Sequence, residues 1–89
     1  MAGKRKTIVR EIRGIPYFLL FEYLEEMGGT ARAEDLIEAP EWKAKFERME
    51  PFRLGSLQVG QTRLTIDIEH SAEEEFLRVF ALKTLRAGG

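Results

Sequence analysis

The sequence predicts an α+β domain: a two-layer sandwich of four to five antiparallel strands with two helices on one face, in the order β-α-β-β-β-(β)-α. Three observations lead there. Residues 16–27 and 72–86 repeat apolar side chains at helical spacing, residues 62–69 alternate apolar and polar side chains, and a lone strand-like run precedes the first helix.

That run is Thr7 to Arg13, with Ile8 and Ile12 on one face and Val9 on the other, ended by Gly14. The six residues before it are small and basic, so residues 1–6 are expected to form a mobile arm and 7–89 a single domain. Pro16 suits the first turn of a helix and Gly28-Gly29 its end, which predicts a helix from Pro16 to Met27. Tyr17, Leu20, Phe21, Tyr23, Leu24 and Met27 share its broad apolar face, whereas Phe18 and Leu19 project among Glu22, Glu25 and Glu26.

Residues 30–50 read either way. Trp42, Phe46 and Met49 fit a helical stripe, but Trp42, Ala44 and Phe46 also alternate with Lys43, Lys45 and Glu47. Strands are favoured, joined by a turn at Ala39-Pro40-Glu41, because two helices need a sheet to cover. Farther on, Gly60-Gln61 is read as a type II′ turn setting Val59 opposite Thr62 and Leu57 opposite Leu64, with a bulge at Gly55-Ser56 correcting the parity of Leu54. Leu64, Ile66 and Ile68 then alternate with Arg63, Thr65, Asp67 and Glu69. Ser71 with Glu74 forms a capping box and Gly88 a stop, so the second helix is expected over Ala72 to Arg86, with an ion pair between Glu74 and Arg78. Its stripe is Phe76, Leu77, Val79 and Phe80, and Leu82 and Leu85 fall on the charged arc.

Composition bounds the function. Eighty-nine residues, 44% of them hydrophobic, suffice for one thin core. With no Cys there is no disulfide, zinc-thiolate site or thiol nucleophile. No run is long and apolar enough for a signal peptide or a membrane span, so a soluble cytoplasmic protein without membrane contact is expected. The absence of Asn, with thirteen Glu and nine Arg, matches a thermophile's composition. The net charge of −1 hides a gradient: residues 1–14 sum to +4 (five basic, one acidic), residues 15–50 to −5 (four basic, nine acidic) and residues 51–89 to zero.

No catalytic, cofactor or metal site is expected. The single histidine, His70, lies between a strand and a helix cap, and Glu73, Glu74 and Glu75 are explained by the helix dipole. An enzyme would need residues such as Arg53, Arg63 and His70 gathered across a dimer cleft. Phe18, Leu19, Leu82 and Leu85, apolar on polar helical faces, instead predict a non-enzymatic module that self-associates as a homodimer. A second possibility is single-stranded nucleic acid held by Lys4, Arg5, Lys6, Arg10 and Arg13, although the acidic remainder of the chain argues against it.

The ending Leu85-Arg86-Ala87-Gly88-Gly89 resembles that of ubiquitin-like and sulfur-carrier proteins, whose terminal diglycine is activated by adenylation. That resemblance would make Gly88 and Gly89 a carrier terminus. In those families the diglycine follows a strand on a free tail and two strands precede the helix; here one strand does, and Gly88 as a helix stop is the simpler account. As a whole the chain resembles small α+β domains of unknown function from thermophilic bacteria, through Ile12-Arg13-Gly14-Ile15-Pro16, Arg53-Leu54-Gly55-Ser56-Leu57 and the Leu85 to Gly89 ending. The resemblance implies no activity, cofactor or partner.

Overall fold

The computed structural model describes residues 4–88. It is the α+β sandwich expected: β1 (Arg5–Arg13), α1 (Tyr17–Glu26), β2 (Thr30–Ala33), β3 (Leu36–Glu38), β4 (Trp42–Leu54), β5 (Leu57–Glu69) and α2 (His70–Gly88). The five strands form one sheet in the order β1-β5-β4-β3-β2, antiparallel throughout. β1 and β2 are the two edges, so their connection must cross four strand spacings, about 19 Å. α1, with 10 residues, covers about 15 Å of that, and the segments flanking it supply the rest.

The core lies between the helices and one sheet face. Trp42, Ala44 and Phe46 of β4 stand opposite Ile68, Ile66 and Leu64 of β5, and all six are buried. Ile8 of β1 pairs with Ile66 on the far side. Leu20 and Leu24 of α1 are fully enclosed, and α2 contributes Phe76 and Phe80, the former edge-on to Trp42 at 5.1 Å. The other face is a solvated lattice of charge, in which Arg63 reaches Glu11 (3.3 Å) and Glu47 (3.1 Å) and Arg5 reaches Asp67 (2.9 Å). Such exposed pairs contribute little stability each; they keep the uncovered face soluble.

α1 ends in a Schellman motif, with the Gly28 N–H donating to the Glu25 carbonyl and the Gly29 N–H to that of Leu24. Gly28 takes the positive φ this needs, +103°. Gly29 is required for closeness, since a Cβ there would collide with the side chains of Ile37 and Trp42.

Several boundaries differ from expectation for physical reasons. Arg5 and Lys6 belong to β1 and are not part of a mobile arm: they pair with Glu69 and Ile68, and the Lys4 carbonyl accepts the His70 N–H. Residues 1–3 of the expected arm lie outside the described residues. Pro16 is the residue before the helix, not its first turn. Thr30 to Glu38 is itself a hairpin, β2–β3, while the turn expected at Ala39-Pro40-Glu41 does join β3 to β4. The closing turn of the long hairpin is Gly55-Ser56, with Leu54 opposite Leu57, and Gly60 is inside β5. Gly55 has φ +63° and Ser56 does not, the type II′ pattern. The bulge sits instead at Glu50-Pro51 opposite Gly60, where a proline has no ladder N–H to withhold. α2 begins at His70, so Ser71 is inside the helix and the capping box does not form. Arg78 pairs with Glu75 (2.7 Å) in place of Glu74. The helix continues through Gly88, which is therefore no stop at Arg86.

These glycines give a direct test. Gly29→Ala should destabilise by about 1 to 3 kcal/mol through overpacking, and Gly55→Ala by about 1 kcal/mol through its positive φ. Gly60→Ala, in open space with an ordinary φ, should be neutral or stabilising by up to about 1 kcal/mol. Urea midpoints of the three variants check this, and the last two together check which glycine closes the hairpin.

Candidate functional site

A cleft of about 940 Å³ lies where the start of α1 meets the β2–β3 turn. Its floor is aromatic because Tyr17 and Phe21, four residues apart, share one flank of α1 above Phe46 of β4. The Tyr17 and Phe21 rings are 6.3 Å apart and nearly parallel, and Phe46 meets them at 5.4 and 5.1 Å. The Tyr17 hydroxyl donates to the Glu34 carbonyl at 2.7 Å, tying the β2–β3 turn to the helix. Arg48 of β4 lies over the Tyr17 ring at 3.9 Å. Burial pushes the Tyr17 phenol above its ordinary value and the nearby Asp35 and Glu34 charges add to this, while the Arg48 cation opposes them. Phe18 stands at the mouth, 65% exposed, and Glu22, Glu34 and Asp35 make an acidic rim. An aromatic floor inside an acidic rim suits an apolar segment carrying positive charge.

Beyond the cleft the β4–β5 hairpin continues as a ribbon, and the molecule is 52 Å long but only 25 by 20 Å across. Phe52 opposes Val59 and Leu54 opposes Leu57, all on one face of the ribbon. Arg13 stacks over Phe52 at 3.9 Å, and Gln61 holds the bulge by donating to the Glu50 carbonyl. Leu54 and Leu57 are 62% and 64% exposed. Sequence reasoning missed this ribbon because it closed the hairpin at Gly60; the signal was the other Gly-X pair, Gly55-Ser56, flanked by two leucines.

The residues expected to self-associate are divided. Phe18 and Glu22 line the cleft, whereas Tyr23 and Glu26 lie on the flank beside α2, where Lys83 pairs with Glu26 at 2.7 Å. Leu19 is half-buried against the core. Leu82 and Leu85, 53% and 76% exposed, lie past Phe80, the last buried position of α2 among the described residues. Phe18 and the α2 leucines therefore occupy separate surfaces.

The basic set is also dispersed, because the pleat of β1 sends alternate residues to opposite faces. Arg5 binds Asp67 and Arg13 binds Gln61 on the open face, while Lys6 binds Glu73 at 2.9 Å and Arg10 sits opposite Leu64 on the covered one. Lys4 is exposed beside the start of α2. Arg53 is on the ribbon, Arg63 between its two carboxylates and His70 exposed at the far end of β5, so one chain does not gather them. Gly88 is helical and Gly89 lies outside the described residues. Among the described residues no group of His, Cys, Asp and Glu is placed to hold a metal ion, and no helix is long and apolar enough to cross a membrane.

A family model described as "Archaeal MoaD-like protein" matches residues 8–89. No curated protein matches the chain. The family match supports the resemblance to a small family of α+β domains and is silent on thermophilic bacteria as its source.

The Tyr17 environment makes a pH prediction. A phenol that holds its proton more tightly folded than unfolded adds stability that is complete below about pH 10, its unfolded value, and is lost as pH rises through the higher folded value. Tyr17→Phe should therefore cost about 0.5 to 1.5 kcal/mol at neutral pH and flatten part of the alkaline fall in the urea midpoint. Parallel curves for the two proteins from pH 8 upward would refute the assignment.

Proposed function

The chain belongs to the archaeal MoaD-like protein family, and from that premise we propose that it is a small non-enzymatic protein acting through protein–protein contacts, first of all with a second copy of itself. The observation that carries this is the exposed apolar surface at the cleft, where Phe18 stands 65% exposed above aromatic side chains. A soluble domain gains nothing from an aromatic side chain held in water at the rim of an aromatic floor; covering it is what stabilises. Closed two-fold dimers are the commonest way for a small domain to do so. The nucleic-acid reading loses ground because Arg5 and Lys6 already have carboxylate partners.

The second reading is that of a carrier. It is favoured by the family match reaching residue 89, and so including Gly88 and Gly89. In it the Gly89 carboxylate attacks the α-phosphorus of ATP on an adenylating partner, pyrophosphate leaves, and a sulfur donor then displaces AMP to give the thiocarboxylate. Gly88 is in α2, so this requires the last turn to unwind, a change that glycine in a helix makes inexpensive.

Two measurements separate the readings. Light scattering should show a dimer at high micromolar concentration, and Phe18→Glu should raise its dissociation constant at least about tenfold, or 1.4 kcal/mol; a monomeric wild type would overturn self-association. Intact mass after incubation with ATP and an adenylating partner should show an adenylate or an oxygen-to-sulfur exchange that deletion of Gly89 abolishes. An unchanged mass would overturn the carrier reading.

A further inference from the structure

The two faces of the β4–β5 ribbon differ, and we propose that the open one, continuous with the sheet face that carries Arg63, is a second contact between copies of the chain. Two ribbons pack open face to open face and antiparallel, with Leu57 of one copy on the partner's Val59 and Leu54 on the partner's Phe52. This goes beyond the cleft reading above and uses the opposite side of the sheet.

Three observations carry it. The first is register. Thr62, Leu64, Ile66 and Ile68 are buried under the helices, so Val59 and Leu57, of the other parity, point away from them. Met49, paired with Gln61, stands on that same open face. The bulge then keeps Phe52 and Leu54 there, opposite Val59 and Leu57; without it Pro51 and Arg53 would take their places. The outcome is an apolar strip on a face that is elsewhere charged, with Leu54 and Leu57 62% and 64% exposed at its end. Two leucines on the uncovered side of a two-stranded ribbon stabilise nothing within their own chain.

The second is where the charge begins. The next pair toward the body after Met49 and Gln61 that points to the open face is Glu47 opposite Arg63, an ion pair at 3.1 Å. A two-fold axis lying across the ribbon, between the Leu54–Leu57 and Phe52–Val59 pairs, brings the partner's turn over Met49 and Gln61. The partner ends there, so the charged lattice keeps its water. Arg13 reaches the same place: its Nε donates to Gln61 and its guanidinium rests on Phe52. It makes no ion pair among the described residues. Carbonyl oxygens of a partner's turn are acceptors for its remaining N–H groups.

The third is shape. Both helices lie on the other face, and the molecule is 52 Å long but only 25 by 20 Å across. Facing sheets sit about 10 Å apart, so antiparallel ribbons leave the two bodies at opposite ends of a closed pair. A strip two strands wide and about 15 Å long falls short of the roughly 800 Å² per partner of a standard interface. The ribbon contact is therefore the weaker one and forms above the concentration at which the clefts pair.

Phe18→Glu removes the cleft contact and leaves the ribbon. Sedimentation of that variant should show monomers pairing as concentration approaches about 1 mM, and adding Leu57→Glu should weaken the pairing at least about tenfold. Gln58→Glu, one residue away on the other face of the ribbon, should not. Leu57 is exposed, so its replacement should leave the unfolding midpoint of the monomer unchanged. The chain has no cysteine, and nitroxide labels on Ser56→Cys should lie within about 25 Å of each other in the pair. A Phe18→Glu protein that stays monomeric, or pairing that Gln58→Glu weakens as much as Leu57→Glu does, would overturn the proposal and leave the cleft reading standing. A wild-type dimer that Leu57→Glu dissociates and Phe18→Glu does not would support it and take the cleft out of self-association. A wild type monomeric at the same concentration would remove both.

Discussion

Trp42 opposite Ile68, Ala44 opposite Ile66 and Phe46 opposite Leu64 place six buried side chains on one side of two strands, and both helices pack on that surface. A shift of one residue would turn all of them toward the charged face. The turn at Gly55-Ser56 does not by itself give this register. Continued without interruption from Leu54 opposite Leu57, the ladder would set Trp42 opposite Glu69 and Phe46 opposite Thr65. The bulge at Glu50-Pro51 opposite Gly60 absorbs one residue, so the turn and the core each keep their own parity. Gln61 fixes that point twice, through the Glu50 carbonyl and the Arg13 guanidinium.

A mismatch of strand lengths then produces the site. β4 and β5 have 13 residues each, whereas β2 has 4 and β3 has 3. The helical layer buries β4 only as far as Phe46. Past that point the long hairpin continues alone as the ribbon, and the short strands end in the turn that Tyr17 ties to α1. The cleft is the space left between them. Cleft and ribbon thus have one cause, which is why Arg48 belongs to both the cleft wall and the base of the ribbon.

The sequence was legible where burial is one-sided. The alternation of Leu64, Ile66 and Ile68, the stripe of α1 and the stop at Gly28-Gly29 each report a covered face or a positive φ, and each appears in the structure. It was illegible where two local solutions are chemically alike. Gly55-Ser56 and Gly60-Gln61 are both Gly-X pairs, and only the distant pairing of β4 with β5 selects between them. The same holds for Glu74 and Glu75, either of which can reach Arg78 until the helix is fixed. The cleft was harder still. Tyr17 and Phe21 were readable as core, but that they also face a gap depends on where β2 ends, which no residue of α1 reports. Phe18 was singled out correctly as exposed, yet its grouping with Leu82 and Leu85 required knowing which flank of α1 meets α2.

That separation bears on the two functional readings. A carrier must be recognised by the protein that activates it, and a specific contact takes roughly 800 Å² from each partner, far more than two glycines present. Self-association at the cleft would cover Phe18. It would leave Leu82 and Leu85 uncovered on the last turns of α2, the turns that lead to Gly88. The two apolar surfaces therefore need not compete: one lies at the cleft, and the other adjoins the turns of α2 that lead to Gly88. The proposed self-association and a carrier role would be compatible on this fold, because the cleft that carries Phe18 is separate from the turns of α2 that lead to Gly88.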